Sequence, residues 1–325
     1  MLVYNRILII QTAFIGDAIL ASSLLEKLHA RFPQCELSIL VRKGNEGIYQ
    51  SHPFLKEVLI WDKSKHKTKH LWQMLFRIRH NRYDAVINCH RFASSGFLAG
   101  FSGARHISGY TQNPFSFLFN VKVKHSVSHG LHEIERYNQL IEDFTDKVIV
   151  KPKLYPSASD ILKITPYLRD NFVCMAPASV WFTKQLPAAK WVQLCNTRDS
   201  DQTIYLLGAP GDRALCEEIK LKSTHQNIVV LAGELSLLQS CALMQKARMN
   251  YVNDSGPLHL ASSVNAPTTA FFLSTVPEFG FGPLSDQSVI KQVSGLPCRP
   301  CGLHGFKSCP QQHFNCAQQI EIPVS

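Results

Sequence analysis

Near the start of the chain, Arg6-Ile7-Leu8-Ile9-Ile10-Gln11 holds an unbroken aliphatic run with no polar alternation. A strand of that kind needs apolar partners on both faces, the condition of a central strand in a parallel sheet. Parallel neighbours cannot be joined by tight turns, so the chain must supply a crossover helix after each strand. After the turn Thr12-Ala13-Phe14-Ile15-Gly16-Asp17, residues 18–32 carry apolar side chains at helical spacing until Pro33 ends the pattern. Further strands are predicted at 36–41, 58–61 and 85–89, and helices at 70–81 and 133–144. Residues 151–167, with Pro152, Pro156 and Pro166, read as a linker. The alternation then resumes, with strands predicted at 172–176, 203–207, 228–231, 247–252 and 268–273 and helices at 188–196, 213–222 and 237–246. The expected fold class is α/β, as two doubly wound Rossmann-like domains at 1–155 and 165–325. Ligands are expected in a cleft at the carboxyl ends of the strands.

A chain of 325 residues, 45% hydrophobic and 18% charged, can bury two ordinary cores. It contains no apolar run of transmembrane length. Asp17 interrupts the N-terminal apolar stretch and no cleavage site follows, so a buried first strand is expected rather than a signal peptide. Cysteines 35, 89, 174, 195, 216 and 241 show no pairing pattern and read as small core side chains in a reducing compartment. The net charge of +10 is uneven: seven basic residues and no acid lie between Lys63 and Arg82. Such a face suits solvent, nucleic acid or anionic lipid head groups. No nucleic-acid motif is recognised, and nucleic acid is not expected as a partner.

The most informative stretch is Asn253-Asp254-Ser255-Gly256-Pro257-Leu258-His259-Leu260-Ala261. It follows a short apolar strand and opens a helical pattern, with Asp254 or Ser255 placed as N-cap and Pro257 in the first turn. A strand, a tight turn at Gly256 and a helix N-terminus make either an anion site or an ordinary capped helix. Upstream, Ala176-Pro177-Ala178-Ser179 is a small-residue turn, and Thr183-Lys184 adds a hydroxyl and a charge suited to pyrophosphate. Gly233-Glu234-Leu235-Ser236 lies between a strand and a helix, where Ser236 is also a natural N-cap. In the first half, Gly16-Asp17 sits where strand one feeds helix one; Asp17 is a general base or a helix cap. Arg136 could face an anion or pair with Glu133 or Glu135. A Gly-x-Gly-x-x-Gly fingerprint is missing from the first turn, which holds a single glycine, so nicotinamide chemistry is not expected.

Three of these features, in order, carry a resemblance. Ile15-Gly16-Asp17, Lys184 seven residues before Trp191, and Asp254-Ser255-Gly256-Pro257-Leu258-His259-Leu260-Ala261 resemble the motifs of the heptosyltransferases, glycosyltransferase family 9. One departure is that Lys-Gln-Leu-Pro stands where the family has Lys-x-Trp-Pro. The resemblance implies GT-B architecture and an inverting transferase that requires no metal or other cofactor. ADP-heptose would be the donor and the anionic inner core of lipopolysaccharide the acceptor. It implies Asp17 as the base and Ser179, Thr183, Lys184, Glu234, Leu235, Ser236, Asp254, Ser255, Gly256 and His259 at the donor. Gly16, Arg136, Lys63 and Lys65 are the residues expected at the acceptor. A cytoplasmic enzyme is implied, peripheral to the inner membrane, its basic half turned to acceptor and leaflet. The family usually adds a C-terminal helix crossing back to the first domain; here the sequence reaches Ile322-Pro323-Val324-Ser325, and another segment is expected to replace it unless it is absent. Other classes stay open: a related enzyme using a different nucleotide sugar, an epimerase, or a binding module in which Asp17 is only a cap. Cys298, Cys301, Cys309 and Cys316 offer a tetrahedral structural metal site, free thiols or a disulfide, although their gaps are not a standard zinc spacing.

Overall fold

The computed structural model describes residues 4–63, 67–127 and 130–324. The chain divides into two compact units, Met1–Tyr155 and Pro156–Ser325.

In the first unit the strands are β1 (Arg6–Gln11), β2 (Glu36–Arg42), β3 (Leu55–Trp61), β4 (Ala85–Asn88), β5 (His106–Tyr110) and β6 (Val121–Val123). The helices are α1 (Ile15–Arg31), α2 (Lys67–Asn81), α3 (Ala93–Gly100) and α4 (Glu133–Gln139). All strand pairs are parallel, in the order β3-β2-β1-β4-β5-β6. Ile7 to Ile10 of β1 are fully buried, as a central strand requires. One face packs Leu8, Ile10, Leu40, Trp61 and Val86 against Met74, Leu75 and Ile78 of α2. Cutting one of these side chains to alanine costs about 2–5 kcal/mol.

The second unit holds α5 (Ala158–Ile164), β7 (Phe172–Ala176), α6 (Ala188–Asn196), β8 (Thr203–Leu206), α7 (Arg213–Lys222) and β9 (Ile228–Val230). It continues with α8 (Leu237–Lys246), β10 (Met249–Asn253), α9 (Gly256–Ser263), β11 (Thr268–Phe271), β12 (Ser288–Lys291) and α10 (Asn315–Gln318). The order β12-β11-β10-β7-β8-β9 is the same winding, read from the opposite edge. Trp191, Leu194, Phe271, Leu273 and, from the tail, Phe314 and Cys316 share one core.

Two differences from expectation have local causes. Residues 156–164, expected in a linker, belong to the second unit: Ser157 and Asp160 form a reciprocal capping pair and α5 packs on α8. Strands β5, β6 and β12 go unpredicted because His-Ile-Ser-Gly-Tyr is polar, Val-Lys-Val is short and Ser-Val-Ile-Lys is an exposed edge. The six scattered cysteines are free and buried. Burial pushes the thiols of Cys35, Cys195, Cys216 and Cys241 up to about 12, which suits packing rather than reaction. No helix among the described residues is long and apolar enough to cross a membrane.

Candidate functional site

Each sheet reverses its winding once, between β1 and β4 in the first unit and between β7 and β10 in the second. Loops leaving the two strands at such a point diverge and open a crevice at the strands' carboxyl ends. The Gly16-Asp17, Ser179 to Lys184 and Asp254 to Gly256 motifs fall on these loops and the helix starts they lead into, whereas Gly233 to Ser236 follows the edge strand β9 and Arg136 lies in α4.

In the first unit the turn after β1 is braced from three distant segments. Gln11 Nε2 donates to Tyr137 Oη at 2.7 Å, and Gln11 Oε1 accepts from the Ala13 amide at 3.0 Å. Asn45 Nδ2 donates to the Ala13 carbonyl at 3.1 Å. Lys63 Nζ lies over the Trp61 ring and donates to both the carbonyl and the hydroxyl of Thr12 at 2.9 Å. Lys63, expected at an acceptor, thus holds the turn. Lys65 lies outside the described residues. Helix α1 begins at Ile15 behind Phe14, and no side chain caps it. Asp17 is therefore not the N-cap: it follows Gly16 as the third helical residue, half-buried, in the first turn where the dipole favours negative charge. Burial, then the charges of Glu133 and Asp17, hold the Tyr137 phenol well above its ordinary range, so it stays a donor. After β4, burial and then the charges of Lys63 and Arg91 bring the His90 imidazole down to about 4, leaving it neutral.

Arg136 corrects an expectation. It is 1% exposed, so it faces the interior of the unit and not an acceptor. Its Nε donates to Glu133 Oε2 at 2.7 Å, and one Nη donates to the Leu131 carbonyl at 2.6 Å and that of Ser126 at 3.3 Å. An ion pair with Glu133 was one of the two sequence readings, but as a surface pair; the structure buries it, where it holds the segment entering α4.

In the second unit, buried Asn253 at the end of β10 ties the two diverging loops together. Its Nδ2 donates to the Pro177 carbonyl at 2.9 Å, and its Oδ1 accepts from the Leu186 amide at 3.0 Å. Next to it, Asp254 turns its carboxylate away from the helix end. Asp254 Oδ2 receives Lys184 Nζ at 2.6 Å and Thr275 Oγ1 at 2.6 Å. The backbone N-cap of α9 is Ser255, and no side chain caps the helix. The half-buried first turn, Gly256-Pro257, therefore keeps its amide end open beside Lys184's partner. His259 is buried one turn on, edge-on to Phe281 at 6.3 Å. Ser179 is half-buried, its hydroxyl accepting from the Trp181 amide at 3.4 Å.

Three residues expected at the donor have partners of their own. Thr183 is buried and bound to the tail: its amide donates to the Phe306 carbonyl at 3.1 Å, and its hydroxyl accepts from the Phe306 amide at 2.8 Å. Ser236 caps α8 in a reciprocal box with Gln239, so its hydroxyl is engaged locally. Glu234 is exposed and carries an ion pair with Arg213 at 2.5 Å; Leu235 beside it is half-buried.

The cysteine tail seats on the Lys184 loop. Phe314 stacks on Phe182 at 5.2 Å, and Gly305 lies so close that a Cβ there would stand 2.3 Å from Trp181 Cβ. Arg299 donates to the carbonyls of Leu273, Val293 and Thr275 and so fixes the loop that carries Thr275. Cys298, Cys301, Cys309 and Cys316 are free thiols. No group of three His, Cys, Asp or Glu side chains arranged to hold a metal is found among the described residues. Thr275, Arg299, Gln11, Asn45 and Tyr137 are not marked as site-forming by the sequence, and Asn253 stands at the head of the Asp254 stretch with no role assigned to it.

Two Rossmann-type sheets in one chain, one offering a carboxylate at its switch point and the other a lysine and an open helix end, make up the GT-B architecture. The chain belongs to glycosyltransferase family 9, the heptosyltransferases, whose family description matches residues 71–307. It is 26% identical over 318 residues to lipopolysaccharide heptosyltransferase 1 of Pseudomonas aeruginosa, covering 91% of this chain and 86% of that one. It shares its fold with Escherichia coli ADP-heptose LPS heptosyltransferase II, at a TM-score of 0.78 and 22% identity over 97% of this chain and 98% of that one. A second E. coli heptosyltransferase, WaaC solved with ADP, matches at a TM-score of 0.71 and 18% identity, over 97% and 98% of the two chains.

Proposed function

We propose that this glycosyltransferase moves heptose from ADP-heptose to the inner core of lipopolysaccharide, with inversion at the anomeric carbon. The observation that carries the reading is the pairing of Lys184 with Asp254 beside the open N-terminus of α9. The names of the family relatives supply the donor and acceptor classes. Asp17 takes the proton from an acceptor hydroxyl. That oxygen forms a bond to the anomeric carbon as the bond from carbon to the phosphate oxygen breaks and ADP leaves. Lys184 and the amides around Ser255 and Gly256 offset the charge that develops on the leaving diphosphate. Asp254 holds Lys184 in place, and Thr275 holds Asp254. His259 supports the same helix turn, Ser179 the loop opposite, and Glu234 with Leu235 the nucleoside. An acceptor anchored in lipid places the work at the cytoplasmic face of the inner membrane.

The test is calorimetric titration of ADP-heptose and ADP, with UDP-sugars as controls, into wild type and Lys184→Ala. Adenine-selective binding that weakens roughly ten- to hundredfold in the variant supports the reading. Tighter binding of a UDP-sugar, or no binding of any nucleotide, would sink it.

A further inference from the structure

Six aromatic rings form one contiguous strip in the first unit, from α2 over α3 to the loop before β6. Ring centroids are 6.2 Å apart for Phe76–Trp72, 5.3 Å for Trp72–Phe97 and 5.1 Å for Phe97–Phe101. Phe115 touches both Phe97 and Phe101, at 5.9 and 6.0 Å, and Phe117 follows at 6.2 Å from Phe115. Phe97 and Phe115 are half-buried and root the strip, while Trp72, Phe76, Phe101 and Phe117 remain between 41% and 69% exposed. Helix α2 already turns Met74, Leu75 and Ile78 into the core, so Trp72 and Phe76 stand on its other face by helical geometry. Single exposed apolar residues are ordinary; a contiguous aromatic strip is not.

The segment that carries it is one-sided in charge, although Arg77 of α2 is paired with Glu57 of β3. From Lys63 to His132 the sequence has eleven Lys and Arg and one acid, Asp84, an excess equal to the +10 of the whole chain. Asp84 is engaged by Arg105 and by the amides of Asn5 and Arg6. Lys69 and Arg79 lie three residues before and seven after Trp72, on its face of the helix. Arg79 donates to the Phe101 carbonyl at 3.0 Å, which sets a cation at the edge of the strip.

We propose that this strip is the face by which the protein docks on an anionic lipid bilayer, its rings entering the head-group boundary and its cations meeting the lipid charge. Aromatic side chains favour that boundary, and each Lys or Arg near an anionic surface adds about 1 kcal/mol. A second copy of the chain is a poor occupant, because a two-fold contact through the strip would bring two cationic borders together. The inference rests on the reading of the acceptor as a membrane-anchored one, and it names the surface that would bring the enzyme to it.

The experiment is co-sedimentation of the full chain, without donor or acceptor, with vesicles of phosphatidylcholine alone or mixed with phosphatidylglycerol. Wild type is expected to sediment only with the mixed vesicles and to be released by salt. Trp72→Ser/Phe76→Ser is expected to weaken that binding roughly tenfold or more, with an unchanged melting temperature and ADP titration; Phe117→Ser, on a separate loop, is the second variant. Trp72 emission should shift to the blue on binding, a shift missing in Trp72→Phe. The proposal is overturned if wild type binds neither vesicle or both equally, if both variants bind as wild type does, or if the variants instead dissociate a dimer. Because ADP titration is read on the same samples, failure here is distinguishable from failure of the transferase reading.

Discussion

Lys184 Nζ stands 2.6 Å from Asp254 Oδ2, joining the loop after β7 to the loop after β10 across the point where the sheet reverses its winding. Both side chains are largely buried, and Thr275 supplies a second donor to the same oxygen. A pair of this kind fixes the direction of the ammonium more than it adds to stability, since desolvation offsets much of the attraction. Asp254→Asn should therefore weaken ADP binding severalfold by releasing Lys184, and combined with Lys184→Ala it should add little to the single lysine change. Calorimetry on the two single variants and the double variant reads this directly; additive losses would mean the two residues act independently.

Asp17→Asn should lower kcat by a factor of roughly 10²–10⁴ with ADP affinity unchanged. Because α1 carries no side-chain cap and Asp17 is not its N-cap, the melting temperature should move little. A variant that keeps full turnover would remove Asp17 as the base.

Tyr137→Phe tests whether the brace on the first turn matters for rate. It deletes the partner of Gln11 Nε2 inside the fold, at a cost to stability of about 1–3 kcal/mol. The expected signature is a fall in kcat with donor affinity intact, because the turn that carries Asp17 loses its position. Donor affinity falling in step would point to general loss of structure.

Gly305→Ala should affect the other unit. The added methyl would meet Trp181 Cβ at 2.3 Å and Lys184 Cγ at 3.0 Å, so the tail or the lysine loop must shift. Weaker ADP binding is the expected outcome, measured beside a mild thermal destabilisation. Unchanged binding would show that the tail only closes the core.

Acid should destabilise the first unit through His52. Burial, and then the charge of His29, brings its imidazole from the ordinary 6.5 down to about 4. Between those values the unfolded chain binds the proton and the folded one does not. The stability is thus fully present above pH 6.5 and is lost as the pH falls toward 4, by roughly 3 kcal/mol. Glu26, raised by burial, shifts in the opposite sense and offsets part of this over the lower end of the range. Thermal melts should show a shallower acid slope in His52→Gln than in wild type.

The pattern of strands and helices was legible wherever one apolar run met one period: β1, β2 and β7 are enclosed on both faces and read as such. Edge strands β6 and β12 need no such run and left no trace. Asp17, Lys184 and Asp254 could be singled out because each sits in a local motif at a strand end. Their supports could not, because Gln11 and Tyr137 are 126 residues apart, Asn45 reaches Ala13 across 32, and Arg299 reaches Phe272, Leu273 and Thr275 across 24–27. Arg136 shows the opposite error: a cation in an otherwise polar stretch reads as exposed until its carboxylate and carbonyl partners enclose it.

The turn after β1 is held from Asn45, Lys63 and Tyr137, so it closes only when segments from nearly the whole length of the first unit have come together. A nascent or partly unfolded chain has its aspartate but not the geometry around it. On the proposed reading, in which Asp17 is the base, proton removal waits on the last of these long-range contacts.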